Sequence, residues 1–244
     1  MPLIETGASA SLDMGAVADG QYLKRSGTSL VGATLGSSGS PSSHTWMYDA
    51  FAGIEGTVIG QGAYTECGAW ADDTLAAGST ATATGGVLTL SNHAAAGAIT
   101  STISSTITSP GAFNFGGRIH FKMRLNQNAS GYGGGVRISD GTNHAAQIYF
   151  RYSTTFQIAF WNGYGYKLQD ANKDQWYTID AVWSGATNGV EIFIDGAWAF
   201  GGSAGTYHTL WNKLKIYSAS AAGGADCDFN LDDFHLYSLC PLGA

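Results

Sequence analysis

Charge, proline and long apolar runs are all scarce in this chain of 244 residues. Asp, Glu, Lys and Arg together make up 12% of it, against about 25% in ordinary soluble domains. This shortage disfavours a helical bundle, whose helices need charged faces turned to the solvent. No segment approaches the ~20 consecutive apolar residues that cross a bilayer, so we expect no membrane insertion.

Positive charge is missing from a long part of the chain. No Lys or Arg occurs between Ser26 and Gly117, and the formal net charge is −7. A surface that neutralises phosphates needs clustered Lys and Arg, so the sequence predicts no nucleic-acid binding. The opening residues show neither the basic nor the apolar region of a secretory signal, and we expect none.

Cysteine is limited to three residues at no metal-like spacing, namely Cys67, Cys227 and Cys240. We expect buried thiols, because synthesis inside a cell keeps cysteines reduced. A disulfide between Cys227 and Cys240, flanking the last strand, is the alternative.

Glycine and aromatic residues are abundant instead. The 35 glycines are roughly twice the usual share of about 7%, and aromatic residues reach 12%. So many rings need a core to bury them, which disfavours disorder. In segment 118–125 the apolar residues Ile119, Phe121, Met123 and Leu125 alternate with basic ones, as in a half-buried strand. Further strands are predicted at 21–24, 29–31, 87–90, 135–138, 145–151, 156–161, 166–169, 176–183, 190–194, 198–200, 214–218 and 229–237.

Turn dipeptides such as Asn188-Gly189 and Asp195-Gly196 separate these segments and favour tight hairpins. About a dozen strands at this spacing predict an all-β fold, a two-sheet antiparallel sandwich. Segment 131–135 is rich in glycine and is predicted to be an exposed loop. The predicted core includes Phe121, Met123, Ile179, Val182, Ile192, Ile194 and Leu236.

The composition changes along the chain and predicts three regions. Residues 1–35 contain little apolar surface and are expected to form an extended attachment or oligomerisation segment held by other chains. Residues 36–45 have the Gly/Ser-rich composition of a linker. Residues 46–240 are expected to form the sandwich.

Two motifs of the long region follow one another along the chain. Trp176-Tyr177 opens one strand, and the later Val190–Ile194 strand is followed by Asp195-Gly196. This order resembles the concanavalin A-like (laminin-G-like) jelly-roll superfamily. Segments 231–237 and 48–51 resemble the last and first strands of that superfamily. The resemblance implies a jelly roll over residues 46–240, a fold that serves lectins, hydrolases and adhesion modules alike.

A second resemblance concerns the N-terminal region. Asp19, Gly20, Gln21, Tyr22 and Leu23, continuing to Gly27, are similar to short repeats of bacteriophage tail-fibre and appendage proteins. In those proteins such repeats lie in thin, trimeric or virion-attached regions. The resemblance implies that these five residues attach the chain to other virion proteins, in a homotrimer.

A catalytic pair of carboxylates is a feature of the laminarinase-type enzymes in the superfamily, which place three acids on one strand face. In the matching strand, Glu191 and Asp195 share a face, but Phe193 stands where the middle acid belongs. Asp195 also precedes Gly196 and fits a turn. The sequence therefore predicts no glycosidase activity.

Calcium is bound by many members of the superfamily, and the densest acidic cluster is Asp226, Asp228, Asp232 and Asp233. Hard cations prefer such oxygen ligands, so Asp226 and Asp228 are the candidate calcium ligands. The alternative is that Asp232 or Asp233 hydrogen-bonds a bend before the final strand. No other cofactor is indicated.

Two aromatic segments resemble saccharide platforms in composition. A flat ring beside amides or imidazoles can stack on the C–H face of a sugar and bond its hydroxyls. The alternative is that most of these rings belong to the core. The candidate glycan-binding residues are Trp161, Asn162, Tyr164, Tyr166, His208 and Trp211.

Together these features predict a structural bacteriophage protein that is assembled in the host cytoplasm and located in the virion. It would be a tail fibre or appendage whose jelly-roll head binds host-surface polysaccharide. A capsid decoration or head-fibre protein is the alternative within that class. A polysaccharide-degrading enzyme is the alternative from another class.

Overall fold

The structure is a computed structural model. Residue contacts divide the chain into two units, Met1–Ser42 with Pro241–Ala244, and Ser43–Cys240. All regular structure in the described residues is β strand, and none of them forms a helix that could span a membrane. The described residues are 21–26, 29–34, 43–47, 50–62, 67–92, 100–107, 116–127, 131–139, 144–152, 154–161, 166–184, 189–203, 212–219 and 227–239.

In the first unit the described residues form an antiparallel hairpin of β1 (Gln21–Ser26) and β2 (Ser29–Thr34). Its register runs from the Gln21–Thr34 pair to the Ser26–Ser29 pair. Both strands predicted for this region are confirmed, and each extends two or three residues beyond its predicted end.

The second unit is built from two sheets, of which the first has seven strands. The first and last strands of the following order are the two edge strands of this sheet. In spatial order the strands are β13 (Tyr166–Asp170), β12 (Phe156–Trp161), β11 (His144–Tyr152), β10 (Gly131–Ser139), β17 (Lys213–Ala219), β8 (Thr100–Thr106) and β5 (Ala71–Thr74).

The second sheet has nine strands, one of which, β3 (Ser43–Met47), pairs with the end of β18 (Cys227–Leu239). Every pairing described in both sheets is antiparallel, so the predicted two-sheet antiparallel sandwich is confirmed. The other strands in spatial order are β16 (Ala197–Ser203), β15 (Gly189–Ile194), β14 (Tyr177–Ser184), β9 (Gly116–Gln127), β18 (Cys227–Leu239), β7 (Val87–Asn92), β6 (Thr80–Thr84) and β4 (Gly56–Thr57).

The core lies between the inner faces of the two sheets, and β9 shows how the sequence builds it. Its alternate residues are at most 3% exposed: Ile119, Phe121, Met123 and Leu125. The residues between them point away from the core: Arg118, His120, Lys122 and Arg124. The alternation seen in the sequence is thereby confirmed.

Aromatic rings from both sheets meet in this core. Phe160 of β12 stacks on Phe200 of β16, with ring centroids 6.5 Å apart. Phe150 of β11 meets Phe229 of β18 edge-on, also at 6.5 Å. Burying one such side chain stabilises the fold by about 1.5–3 kcal/mol, so these contacts contribute strongly to holding the sheets together.

The glycine-rich segment 131–135 is not an exposed loop, as the sequence suggested, but the first half of β10. Gly133, Gly134 and Gly135 are buried. A Cβ at Gly134 would overlap the ring of Phe229, and a Cβ at Gly133 would overlap Leu125. The glycines therefore let side chains of the opposite sheet pack directly on the β10 backbone.

Three other expectations are corrected. The opening strand is β3, and Ala50 and Phe51 lie in the turn that follows it. Val182 alternates with the buried Ala181 and lies on the outer face, half-buried. Strands β6 and β8 were missed because Thr and Ser, and not large apolar residues, occupy most of their positions.

Candidate functional site

The outward-pointing residues of the seven-stranded sheet combine aromatic rings with cationic and amide groups. Because successive side chains of a strand alternate, Arg137 points outward between the buried Val136 and Ile138. We call this surface the seven-strand outer face. Its residues are Asp73, Ser104, Arg137, Gln147, Tyr149, Arg151, Gln157, Ala159, Trp161, Leu168, Asp170, Lys213, Lys215 and Tyr217.

Arg137 occupies the middle of the seven-strand outer face and is held in two directions. Its Nε donates a hydrogen bond to Gln147 Oε1 at 3.0 Å. Its guanidinium carbon lies 4.5 Å from the centroid of the Tyr217 ring, in cation–π contact. Gln147 and Tyr217 belong to the strands on either side of β10, so the register of the sheet sets the orientation of the guanidinium.

Two tyrosines flank the backbone of β10 next to Arg137. Gly135 pairs with Tyr149 of β11 on one side and with Tyr217 of β17 on the other. A Cβ at Gly135 would overlap Tyr149, so glycine is required for this close approach. The two tyrosines are 2% and 4% exposed, and the half-buried Trp161 packs against their cluster.

The phenol of Tyr217 remains protonated in this environment. Burial raises its pKa above the usual range, and the positive charge of Arg137 opposes that rise only in part. A neutral phenol beside a guanidinium keeps the local charge positive. The seven-strand outer face thus offers a cation among aromatic rings.

A second charged group lies on the same face, at the β5 side. Asp73 Oδ1 is 2.8 Å from Lys213 Nζ, and Asp73 Oδ2 is 2.8 Å from Lys215 Nζ. Partial burial pushes the pKa of Asp73 up, but the hydrogen bonds and charges of both lysines outweigh it and lower the pKa. One carboxylate therefore faces two ammonium groups.

The outer face of the nine-stranded sheet holds a different network of ion pairs. Asp180 accepts hydrogen bonds from Arg118, through Nε at 2.8 Å, and lies 3.0 Å from His120 Nδ1. Asp233 lies 2.5 Å from His235 Nε2 and 3.1 Å from Lys122 Nζ. Asp180 thus faces two cationic or imidazole partners and Asp233 three, since His120 Nε2 also lies 3.5 Å from Asp233 Oδ2, and such sharing is typical of a structural ion network.

Asp233 owes its position to a bulge in β18. Its φ is +53°, and its backbone N–H donates to Asp232 Oδ1 at 2.8 Å. The hydrogen bond from His235 is the main cause that lowers the pKa of Asp233 to about 2. Asp232 thus accepts a hydrogen bond at a bulge inside β18, and not at a bend before the final strand as the alternative had it.

The structure describes only part of the predicted glycan platform. Trp161 lies on the seven-strand outer face, and the backbone of Tyr166 pairs with it across the β12–β13 hairpin. The other four predicted glycan-binding residues lie outside the described residues: Asn162, Tyr164, His208 and Trp211.

The remaining predicted sites are described in part. Asp228 Oδ1 accepts a hydrogen bond from Ser91 Oγ at 2.5 Å, while Asp226 lies outside the described residues. Across the described ranges, no three or more His, Cys, Asp and Glu side chains are grouped so that they could hold a metal ion. Of the predicted attachment residues, Gln21, Tyr22 and Leu23 open β1, and Asp19 and Gly20 lie outside the described residues.

Sequence reasoning missed the residues at the centre of the seven-strand outer face. Arg137, Gln147, Tyr149 and Tyr217 come from three strands and are separated by up to 80 positions in the chain. One signal was present, because each of the four alternates with the apolar core residues of its own strand. Alternation within each strand does not predict which strands pair with one another.

Comparisons with known proteins find similarity in the fold and none in the sequence. No protein-family model matches the chain, and no curated protein sequence matches it. Among solved structures, a sialidase matches with a TM-score of 0.54 and 12% identity, over 69% of this chain. That match spans only 17% of the sialidase's own length.

Two shorter structures match over nearly their whole length. The lectin UEA-II, in complex with galactose, matches with a TM-score of 0.52 and 10% identity, over 76% of this chain and 96% of the lectin. A structure concerned with endo-acting O-glycanases of the human gut microbiota matches with a TM-score of 0.53 and 13% identity. This match covers 80% of this chain and 100% of the other. The second unit therefore has the two-sheet jelly-roll sandwich fold found in lectins.

Proposed function

We propose that the chain is a carbohydrate-binding jelly-roll protein and that saccharide binds on the seven-strand outer face. The observation that carries this proposal is the group formed by Trp161, Tyr149, Tyr217, Arg137 and Gln147. The half-buried Trp161 ring can stack on a sugar C–H face, beside amide and guanidinium groups that can bond hydroxyls, and the buried Tyr149 and Tyr217 rings belong to the cluster that packs against it. The galactose complex of the structurally similar lectin supports the proposal by analogy of fold.

The proposed biological setting is a bacteriophage virion. The segment that starts at Asp19 and resembles tail-fibre repeats supports a tail fibre or appendage, with the jelly roll as its host-binding head. In this proposal the N-terminal segment contacts other virion proteins, and three copies of the chain display three heads. Such display would raise the strength of binding through effective concentration. A head-fibre or capsid decoration protein is the second candidate.

The proposed activity is binding without cleavage. Glu191 and Asp195 are both exposed, on the nine-stranded sheet, with Phe193 between them. Asp195 has a φ of +51° and accepts a hydrogen bond from the backbone N–H of Thr178, as a turn residue does. This arrangement supports a structural role for Asp195 and gives Glu191 no partner for acid–base chemistry on its strand.

The test of saccharide binding uses the full chain and a panel of neutral and acidic polysaccharides in affinity electrophoresis. We expect Trp161→Ala to weaken retention by about tenfold, because a stacking surface is lost. Trp198→Ala is the matched control, since Trp198 is 63% exposed on the other sheet. Equal retention of both variants, with cooperative unfolding preserved, would contradict the proposed site.

Two further measurements test the remaining parts of the proposal. Release of reducing ends from a retained polysaccharide, abolished in Glu191→Gln, would overturn binding without cleavage. Light scattering on the full chain is expected to give the mass of a trimer, and a monomer would overturn trimeric display. Immunogold labelling of phage particles with an antibody to this chain distinguishes a tail position from a capsid position.

A further inference from the structure

The seven-strand outer face is cationic although the chain as a whole is acidic, with a formal net charge of −7. On its described strands, four basic side chains and two carboxylates point outward. The basic residues are Arg137, Arg151, Lys213 and Lys215, and the acidic ones are Asp73 and Asp170. This concentration is unusual in a chain that contains only 11 Lys and Arg against 18 Asp and Glu.

The positive charge at the centre of the face has no acidic partner among the described residues. The described contacts of Arg137 are made with the neutral groups Gln147 and Tyr217. Lys215 is its cross-strand neighbour, and it shares the single carboxylate of Asp73 with Lys213. The row from Arg137 to Lys215 therefore keeps a net positive charge.

The geometry of Arg137 favours directional hydrogen bonding to an anion and not only non-specific electrostatic attraction. Its guanidinium is oriented by the Tyr217 ring and by the hydrogen bond from Nε. An oriented guanidinium bonds a planar carboxylate or a sulfate with two parallel hydrogen bonds. Trp161 lies in the same cross-strand row, two strands away, which corresponds to about 10 Å.

We propose that the saccharide bound on the seven-strand outer face is anionic, and that its carboxylate or sulfate groups bind Arg137 and Lys215. The inference rests on the proposed function and narrows its ligand class. A polymer that runs across the strands would stack one sugar on Trp161 and place an acidic group of the same molecule at Arg137.

The experiment measures binding of the full chain to three soluble polymers: polygalacturonate, dextran sulfate and neutral dextran. We expect the acidic polymers to bind at least about tenfold more tightly than dextran at low salt, with the difference shrinking as salt rises. The first polymer tests carboxylate recognition and the second tests sulfate recognition.

Two variants move the affinity in opposite directions. Arg137→Gln is expected to lower the affinity for the acidic polymers by about tenfold. Asp73→Asn is expected to raise it, because two ammonium groups lose their shared carboxylate. Arg118→Gln is the matched control, since Arg118 lies on the nine-stranded sheet and pairs with Asp180. Because the two test variants act with opposite sign, a folding defect cannot imitate both results.

The outcomes separate this inference from the function on which it rests. Preference for an acidic polymer that is lost in Arg137→Gln supports the inference. Equal binding of dextran and the acidic polymers, unchanged in Arg137→Gln, overturns it and leaves saccharide binding intact. Failure of these polymers and of the wider saccharide panel to bind overturns the proposed function and this inference together.

Discussion

Asn92 joins the two sheets through a hydrogen bond from its Nδ2 to the carbonyl oxygen of Ser218, at 3.3 Å. Asn92 ends β7 of the nine-stranded sheet, and Ser218 belongs to β17 of the seven-stranded sheet. Asn92 is fully buried, and its Oδ1 accepts bonds from Ser79 and Ser101. Ser218 Oγ in turn donates to the carbonyl oxygen of Cys227 at 3.0 Å, so polar bonds connect the sheets in both directions.

Replacing Asn92 by Ala is expected to lower the free energy of unfolding by about 2–3 kcal/mol. The substitution removes the three hydrogen bonds that Asn92 makes with the Ser218 carbonyl, Ser79 and Ser101, and each lost hydrogen bond costs about 0.5–1.5 kcal/mol. Urea denaturation checks this value. Asn126→Ala is the control, because Asn126 is exposed on β9. A loss below 0.5 kcal/mol (about the spread of ordinary surface substitutions) would contradict the role given to Asn92.

Gly134→Ala is expected to lower the free energy of unfolding by about 1–3 kcal/mol, because the new methyl group would overlap the Phe229 ring. Gly68→Ala is a control with space for the methyl group, whose nearest neighbour would be the Thr106 carbonyl oxygen at 3.8 Å. Thermal unfolding of both variants provides the measurement. Equal stability of the two variants would show that β10 does not pack as closely as described.

The Asp233 carboxylate is expected to contribute stability that depends on pH. Its pKa in the folded chain is about 2, lower than the ordinary value of 3.8, chiefly because His235 bonds it. Because the pKa is lowered on folding, the carboxylate contributes stability above about pH 4. This contribution is lost as the pH falls toward about 2, the pKa in the folded chain. Asp233→Asn should therefore flatten the acid limb of the stability curve.

Urea denaturation between pH 5 and pH 2 measures that limb. Asparagine also tolerates the positive φ of this position, so the variant removes the charge without straining the backbone. Asp174→Asn is the control, because the Asp174 side chain is 56% exposed and likewise has a positive φ. An acid limb identical in wild type and Asp233→Asn would show that the carboxylate does not act in this way.

The thiol of Cys227 is expected to resist alkylation in the folded protein. Burial raises its pKa to about 11, so very little reactive thiolate is present at pH 8. Iodoacetamide labelling followed by peptide mapping should modify Cys227 only after denaturation. Rapid labelling of the native chain would contradict this expectation. Absence of labelling in denaturant without reductant would reveal a disulfide, the alternative that the sequence left open for Cys227 and Cys240.

The glycan site was predictable only in part. Trp161 could be proposed from its neighbours in the chain, because an aromatic ring beside Asn162 and Gly163 is a local feature. Arg137 could not be assigned to the same site in this way. Its contact with Tyr217 joins residues 80 positions apart and exists only because β10 and β17 pair in the register that aligns Arg137 with Lys215.

Features that depend on neighbouring residues were decided by the sequence itself. The alternation in β9 placed its apolar residues in the core, because a strand turns alternate side chains to opposite faces. Asp195-Gly196 formed the predicted turn, with φ angles of +51° and +78°, because those residue types tolerate that backbone conformation.

Features that depend on distant partners were decided by the tertiary structure alone. Segment 131–135 has a loop-like composition, yet it is a strand because it pairs with β11, and Gly133, Gly134 and Gly135 leave room for Leu125, Phe229 and Tyr149 to approach its backbone. Strands β6 and β8 lack strong apolar alternation, and their Thr and Ser positions become strand only through pairing with β7 and β17. The composition of a segment determines its local conformational preference. Its packing and register also depend on residues that are distant in the chain and adjacent in the fold.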